Sequence, residues 1–153
     1  METILETEGS AFTVRGIVCE SVGSFRFAAD LPEPVPAPGE AVVTIRRIGI
    51  CGTDYHAFRG NQPYFTYPRI LGHELSGVIE TLNGAEDSGL QPGDAVSVIP
   101  YVHCGSCAAC RSGKTNCCTS LRVLGVHADG GMRERIAVPA SLLLKTDRLA
   151  PDA

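Results

Sequence analysis

The stretch Cys104–Cys118, CGSCAACRSGKTNCC, holds five of the seven cysteines in the chain. Four of them, Cys104, Cys107, Cys110 and Cys118, follow the spacing C-x2-C-x2-C-x7-C. A tetrahedral zinc takes four thiolates at about 2.3 Å, and closely spaced cysteines on one loop can wrap a single ion. Gly105 and Gly113 let the backbone turn tightly around it. The stretch has few apolar side chains to hold it together. Metal binding therefore supplies its folding energy, on the order of 10–16 kcal/mol for structural zinc. An odd cysteine count and a reducing compartment disfavour a disulfide framework. The bacterial iron–sulfur run C-x2-C-x2-C-x3-C-P is not matched, because the next cysteine lies further on and no proline follows. Spacing leaves the fourth ligand open between Cys117 and Cys118, with His103 as a competitor beside Cys104. His103 otherwise reads as an exposed loop histidine. Cys19 lies in a strand pattern and reads as a small buried hydrophobe.

Around this lobe the chain has the pattern of a β-rich domain. Its 153 residues suffice for one domain with a core. Seventeen glycines and ten prolines exceed what long helices tolerate, and suit many short strands joined by turns. Strands are expected at Phe12–Cys19, Ser24–Asp30, Ala41–Ile50, from about Ser76 to Leu82, Ala95–Pro100, Gly130–Pro139 and Ser141–Lys145. Short helices are expected near Asp54–Arg59 and Ala108–Lys114, and a proline-stiffened connector at Leu31–Glu40. Such a series reads as a sandwich or barrel. Residues 1–11 read as a flexible tail, acidic and without the apolar core of a signal peptide. No apolar run approaches the roughly 18 residues of a membrane span. The formal net charge of −4 argues against nucleic acid or an anionic membrane as the main partner. A cytoplasmic setting is expected.

A second group of metal-ligating residue types lies upstream, in GICGTDYHAFRG (Gly49–Gly60) and YPRILGHELSG (Tyr67–Gly77). Alone, Cys51 reads as a core thiol, and His56 and His73 as ordinary histidines. Together they place a cysteine, histidines and carboxylates in glycine-bearing turns, the composition of a catalytic zinc site with an open position.

GICGTDYH, GHELSG, PGDAVSV and CGSCAACRSGKTNCC, in that order, resemble the zinc-dependent medium-chain alcohol and polyol dehydrogenase family in its catalytic, GroES-like domain. The resemblance covers residues 12–153. It implies a mostly β fold, a partly open β-barrel with short helices and a zinc-binding lobe. It implies that Cys51, His73 and Glu74 hold a catalytic zinc. It also implies that Thr53 takes the substrate proton, that His56 passes it towards solvent, and that Asp54 orients the zinc-bound histidine. The lobe spacing of the family selects Cys118 over Cys117 for the structural zinc. Where the family has a small turn residue this chain has Asn83, the residue after glycine that best tolerates left-handed backbone angles, followed by Gly84.

The resemblance further implies hydride transfer to NAD or NADP from a small-molecule secondary alcohol: a polyol, sugar acid or threonine-like compound, with simple alcohols and aldehydes as the alternative. It implies a homo-oligomer in full-length form. The dinucleotide fingerprint G-x-G-x-x-G is absent, and the DGG at Asp129–Gly131 lacks its spacing. The chain is therefore expected to be the catalytic part of a longer dehydrogenase, its cofactor-binding Rossmann domain lying elsewhere. Two rivals are a zinc module that binds a partner, and a chaperonin-like scaffold. The first has only scattered cations, Arg111, Lys114 and Arg122, without an aromatic platform. The second gives Cys51, His73 and Glu74 no use.

Overall fold

The computed structural model describes residues 13–146. The expected tail, residues 1–11, and the last seven residues lie outside the described part. In chain order the elements are β1 (Thr13–Ser21), β2 (Ser24–Pro32), β3 (Glu40–Gly49), α1 (Gly52–Phe58), β4 (Arg69–Ile70), β5 (Glu74–Asn83), β6 (Ala95–Val98), β7 (Tyr101–Val102), α2 (Ala108–Arg111), β8 (Arg122–Val123), β9 (Arg135–Pro139) and β10 (Leu143–Lys145). The fold is mostly β, as the turn-rich composition implied.

Two main sheets form an open barrel. One has the order β2-β1-β4, the other β10-β6-β5-β3-β9, and β7-β8 make a separate ribbon. All named ladders are antiparallel. The segment 132–134 ties the main sheets together. Ile17 N donates to Met132 O at 2.8 Å, Glu134 N to Arg15 O at 3.0 Å, and Ile45 N to Glu134 O at 2.8 Å. Val43, Ile79, Val96, Ile136 and Val138, on alternate positions of the larger sheet, meet in one buried cluster. Such β-branched side chains suit a pleated, buried surface. A smaller cluster of Cys19, Ala57 and Leu71 packs with Phe58 and Met132, and fixes α1 against the loop before β5. Cys19 is fully buried, as expected.

Several boundaries differ from the sequence reading. β5 starts at Glu74, two residues before the expected Ser76, because pairing with β3 continues to Gly49↔Glu74. Only Arg135–Pro139 of the expected Gly130–Pro139 strand is extended. Residues 130–132 bond instead to the loop at 70–72. The last expected strand begins as a 3-10 turn at Ala140–Leu142 before β10. Asn83 does not take the left-handed conformation: it ends β5, and Gly84 carries the positive φ of 68°. The Asn83 side chain donates to Pro36 O at 2.8 Å and holds the connector.

Candidate functional site

Cys51 sits at the junction of β3 and α1 as the N-cap of the helix. Its sulfur accepts from Thr53 N at 3.3 Å, and its own N–H donates to Asp54 Oδ2 at 2.9 Å. This reciprocal arrangement is a capping box that satisfies donors the helix start leaves open. It also holds the thiol and the carboxylate in fixed relation.

The other side of the site is His73. Its loop is seated on glycines: Gly130 N donates to Ile70 O at 2.7 Å, Gly131 N to Gly72 O at 2.9 Å, and Met132 N to Leu71 O at 2.9 Å. A side chain at Gly130 would place its Cβ 2.2 Å from Gly72 O, so only glycine permits this approach. The seat brings His73 Nε2 to 3.2 Å from Cys51 Sγ. The other ring nitrogen, Nδ1, lies 3.7 Å from Asp54 Oδ1. Asp54 is buried, and neither Asp54 Oδ1 nor His73 Nδ1 has a hydrogen-bond partner.

Cys51, Asp54 and His73 form one cluster whose ligand atoms lie within 4.8 Å of one another. Asp54 faces the nitrogen opposite the one near the sulfur, so it suits holding the ring rather than sharing an ion with Nε2. With Nδ1–H aimed at the carboxylate, the Nε2 lone pair points towards Cys51. A tetrahedral zinc puts a thiolate sulfur and an imidazole nitrogen about 3.5 Å apart, close to the observed separation. The donor set therefore fits a zinc ion. Glu74 is not brought into this cluster. It is exposed, and its carboxylate folds over Gly49, where an added Cβ would meet Oε2 at 2.3 Å. Thr53 is half-buried and His56 exposed, three residues on along the same helix face.

The four lobe cysteines form a second cluster, Cys104, Cys107, Cys110 and Cys118. Cys104 Sγ lies 3.5 Å from Cys118 Sγ and 3.9 Å from Cys110 Sγ. These distances bracket the about 3.8 Å edge of a tetrahedron with zinc–sulfur bonds, and far exceed a disulfide bond. Backbone N–H groups point at the sulfurs: Cys107 N at Cys104 Sγ (3.4 Å), Cys110 N at Cys107 Sγ (3.5 Å), and Cys104 N and Ser120 N at Cys118 Sγ (both 3.3 Å). Such donors favour thiolates. The amide of Cys110, with that of Thr119, brings the Cys107 thiol down to about 6, while burial pushes Cys110 up to about 12. Cys117 is exposed and outside the cluster, and His103 is an exposed loop residue.

The sequence reading missed the glycine seat of His73. Gly130 and Gly131 read as the start of a strand and as part of a DGG without the nucleotide spacing, and their partner Gly72 lies far away in sequence. The capping box was also missed, although Cys51-x-x-Asp54 has its spacing, because cysteine is an unusual N-cap.

A family model described as the alcohol dehydrogenase GroES-like domain matches residues 37–148. L-Galactonate-5-dehydrogenase of Escherichia coli is 51% identical over 120 residues, covering 78% of this chain and 35% of that protein. L-Threonine 3-dehydrogenase of Pyrococcus horikoshii is 38% identical over 132 residues, covering 82% and 37%. The crystal structure of galactitol-1-phosphate dehydrogenase from Escherichia coli superposes with a TM-score of 0.83 at 29% identity, covering 90% of this chain and 40% of that one. An Escherichia coli alcohol dehydrogenase in complex with NADH gives 0.78 at 39%, covering 88% and 39%. The chain thus spans little more than a third of the length of these relatives.

Proposed function

The chain belongs to the alcohol dehydrogenase GroES-like domain family, and from that premise we propose that residues 12–153 are the catalytic domain of a zinc-dependent dehydrogenase. Its substrate is a small secondary alcohol of the polyol, sugar-acid or threonine-like class, and its hydride acceptor is NAD or NADP. The observation that carries this reading is the Cys51–His73 pair backed by the buried Asp54. The substrate class is supported by relatives named for L-galactonate and L-threonine. The NADH complex of a related structure supports the acceptor. Seven cysteines without a disulfide suit a reducing, cytoplasmic setting. Among the described residues no helix is long and apolar enough to cross a membrane.

Cys51 and His73 would hold the catalytic zinc, and Glu74 would complete its ligand set by turning from Gly49. Cys104, Cys107, Cys110 and Cys118 would hold a structural zinc in the lobe. When bound, the catalytic zinc supplies Lewis acidity and the nicotinamide a hydride acceptor. The residues of this chain do the rest. Asp54 fixes the His73 tautomer through Nδ1. The Thr53 hydroxyl receives the proton of the substrate hydroxyl and relays it to His56. The imidazole of His56, exposed to solvent, passes it on to water.

The test is turnover of the full-length enzyme on polyols, sugar acids and threonine with NAD and NADP. His73→Ala should abolish it, while His56→Ala should slow it by roughly 10²–10⁴ and shift its pH profile. Equal, total loss in both variants would reject this division of roles.

A further inference from the structure

The last turn of α1 bears on the Cys51–His73 pair from a distance. The helix has seven residues, too few to hold a direction by itself. Its start is fixed by the capping box of Cys51 and Asp54. Its end leaves carbonyls that need donors. Phe58 O accepts from Gly23 N at 2.7 Å, in the turn between β1 and β2, and the Phe25 and Phe58 rings stack with centroids 4.9 Å apart. Ala57 O accepts from the hydroxyl of Tyr67.

Tyr67 belongs to the segment that carries His73. Just beyond it, β4 pairs with β1 at Val18↔Ile70 and Cys19↔Arg69. Asp129 Oδ1 accepts from Ile70 N at 3.1 Å and pairs with Arg69 at 3.2 Å. The glycine seat then holds residues 70–72. This side of the site is pinned to the sheets, whereas α1 hangs from the end of β3. The Tyr67 ring meets that of Phe65 edge-on at 4.9 Å and packs against the cluster of Cys19, Ala57 and Leu71. Burial, with the Cys19 thiol near, pushes the phenol above its ordinary value, so it stays a donor through neutral pH. From Ala57 back to Cys51 is about 9 Å of helix. A tilt of about 3° over that length moves the sulfur by about 0.5 Å, the tolerance of a built metal site.

We propose that Tyr67 is a positioning residue of the metal site: by donating to Ala57 O it locks the far end of α1 to the segment that carries His73, and so sets the approach of Cys51 Sγ to His73 Nε2. This rests on the reading of Cys51 and His73 as zinc ligands.

The test is Tyr67→Phe in the full-length, zinc-loaded enzyme. Phenylalanine keeps the ring and loses only the donor. Ala57 O retains its bond from Gly60 N at 3.1 Å, so the fold is kept. Chelator competition reads zinc at Cys51–His73. A second preparation carries cobalt there with zinc left in the lobe, and its thiolate-to-cobalt absorption reads the geometry of the pair. Tyr67→Phe should weaken the zinc by about fivefold, less than the about 10–100-fold of a group that touches the ligand, since Tyr67 acts one bond further out. The cobalt band should shift. Asp94→Asn, which loses the Lys145 pair on the β10 side of the larger sheet, gauges simple destabilisation and should leave both readings unchanged. Affinity and band equal to wild type in Tyr67→Phe overturn the proposal. So do equal changes in Asp94→Asn, because the effect would then be general loosening. A wild-type enzyme without zinc at Cys51–His73 overturns the reading of the site itself, and the proposal with it.

Discussion

Asp54 Oδ1 lies 3.7 Å from His73 Nδ1, both atoms are buried, and neither has a hydrogen-bond partner. Burial of such groups is costly unless they are satisfied, so a small approach that closes the bond is favoured. The other oxygen of Asp54 caps α1 through Cys51 N. One carboxylate thus fixes both the helix that presents the thiol and the ring that presents Nε2. Asp54→Asn keeps the cap acceptor and loses the charge. It should leave the fold intact and weaken zinc at Cys51–His73 by about 10–100-fold, read by chelator competition. Affinity equal to wild type would remove Asp54 from the site.

Cys107→Ser should cost about one zinc per chain and open the lobe to proteases, since a closed thiolate site tolerates little loss of softness. Cys117→Ser should change neither, because Cys117 lies outside the four-sulfur cluster. Metal analysis and limited proteolysis check both. Loss of zinc in Cys117→Ser would reassign the fourth ligand.

Gly130→Ala should destabilise by about 1–3 kcal/mol, the usual cost of overpacking. The new Cβ would fall 2.2 Å from Gly72 O and 2.5 Å from Leu71 O, both rigid backbone atoms. The displaced loop carries His73, so zinc affinity at Cys51–His73 should fall in the same variant. Thermal melts and chelator competition measure the two effects. A melt unchanged from wild type would contradict the packing.

Asp94 is buried and bonded to Lys145 Nζ at 2.8 Å. That bond holds its carboxyl below the usual carboxylate range. The ionised, folded form is favoured, so this contribution is full above about pH 3.9 and is lost as pH falls through the lowered value. Asp94→Asn should lower Tm at pH 7, and the gap from wild type should close on acidification through and below pH 4. A gap that widens towards acid would contradict the assignment.

The sequence revealed parts of the molecule where local pattern decides the structure. The lobe was legible because its ligands lie within one loop, although spacing left Cys117 and Cys118 both open and the family resemblance selected Cys118. The strands around Val43 and Ile79 were legible because β-branched residues fill buried alternate positions. The short β7 and β8 were not, since two residues carry no periodicity. The seat of His73 was hidden because Gly72 meets Gly130 only after the sheets assemble. The position of Glu74 against Gly49 was hidden as well, being set by the β3–β5 register.

Two zinc sites of different kinds on one chain should show in the metal content before and after mild chelation. Two zinc ions per chain are expected, one at each cluster. The ion at Cys51–His73, with fewer protein ligands, should leave easily and be missing from His73→Ala. The ion among Cys104, Cys107, Cys110 and Cys118 should stay until the lobe unfolds, and be missing from Cys107→Ser. A single zinc in the wild-type chain, or two zinc ions retained in His73→Ala, would contradict it.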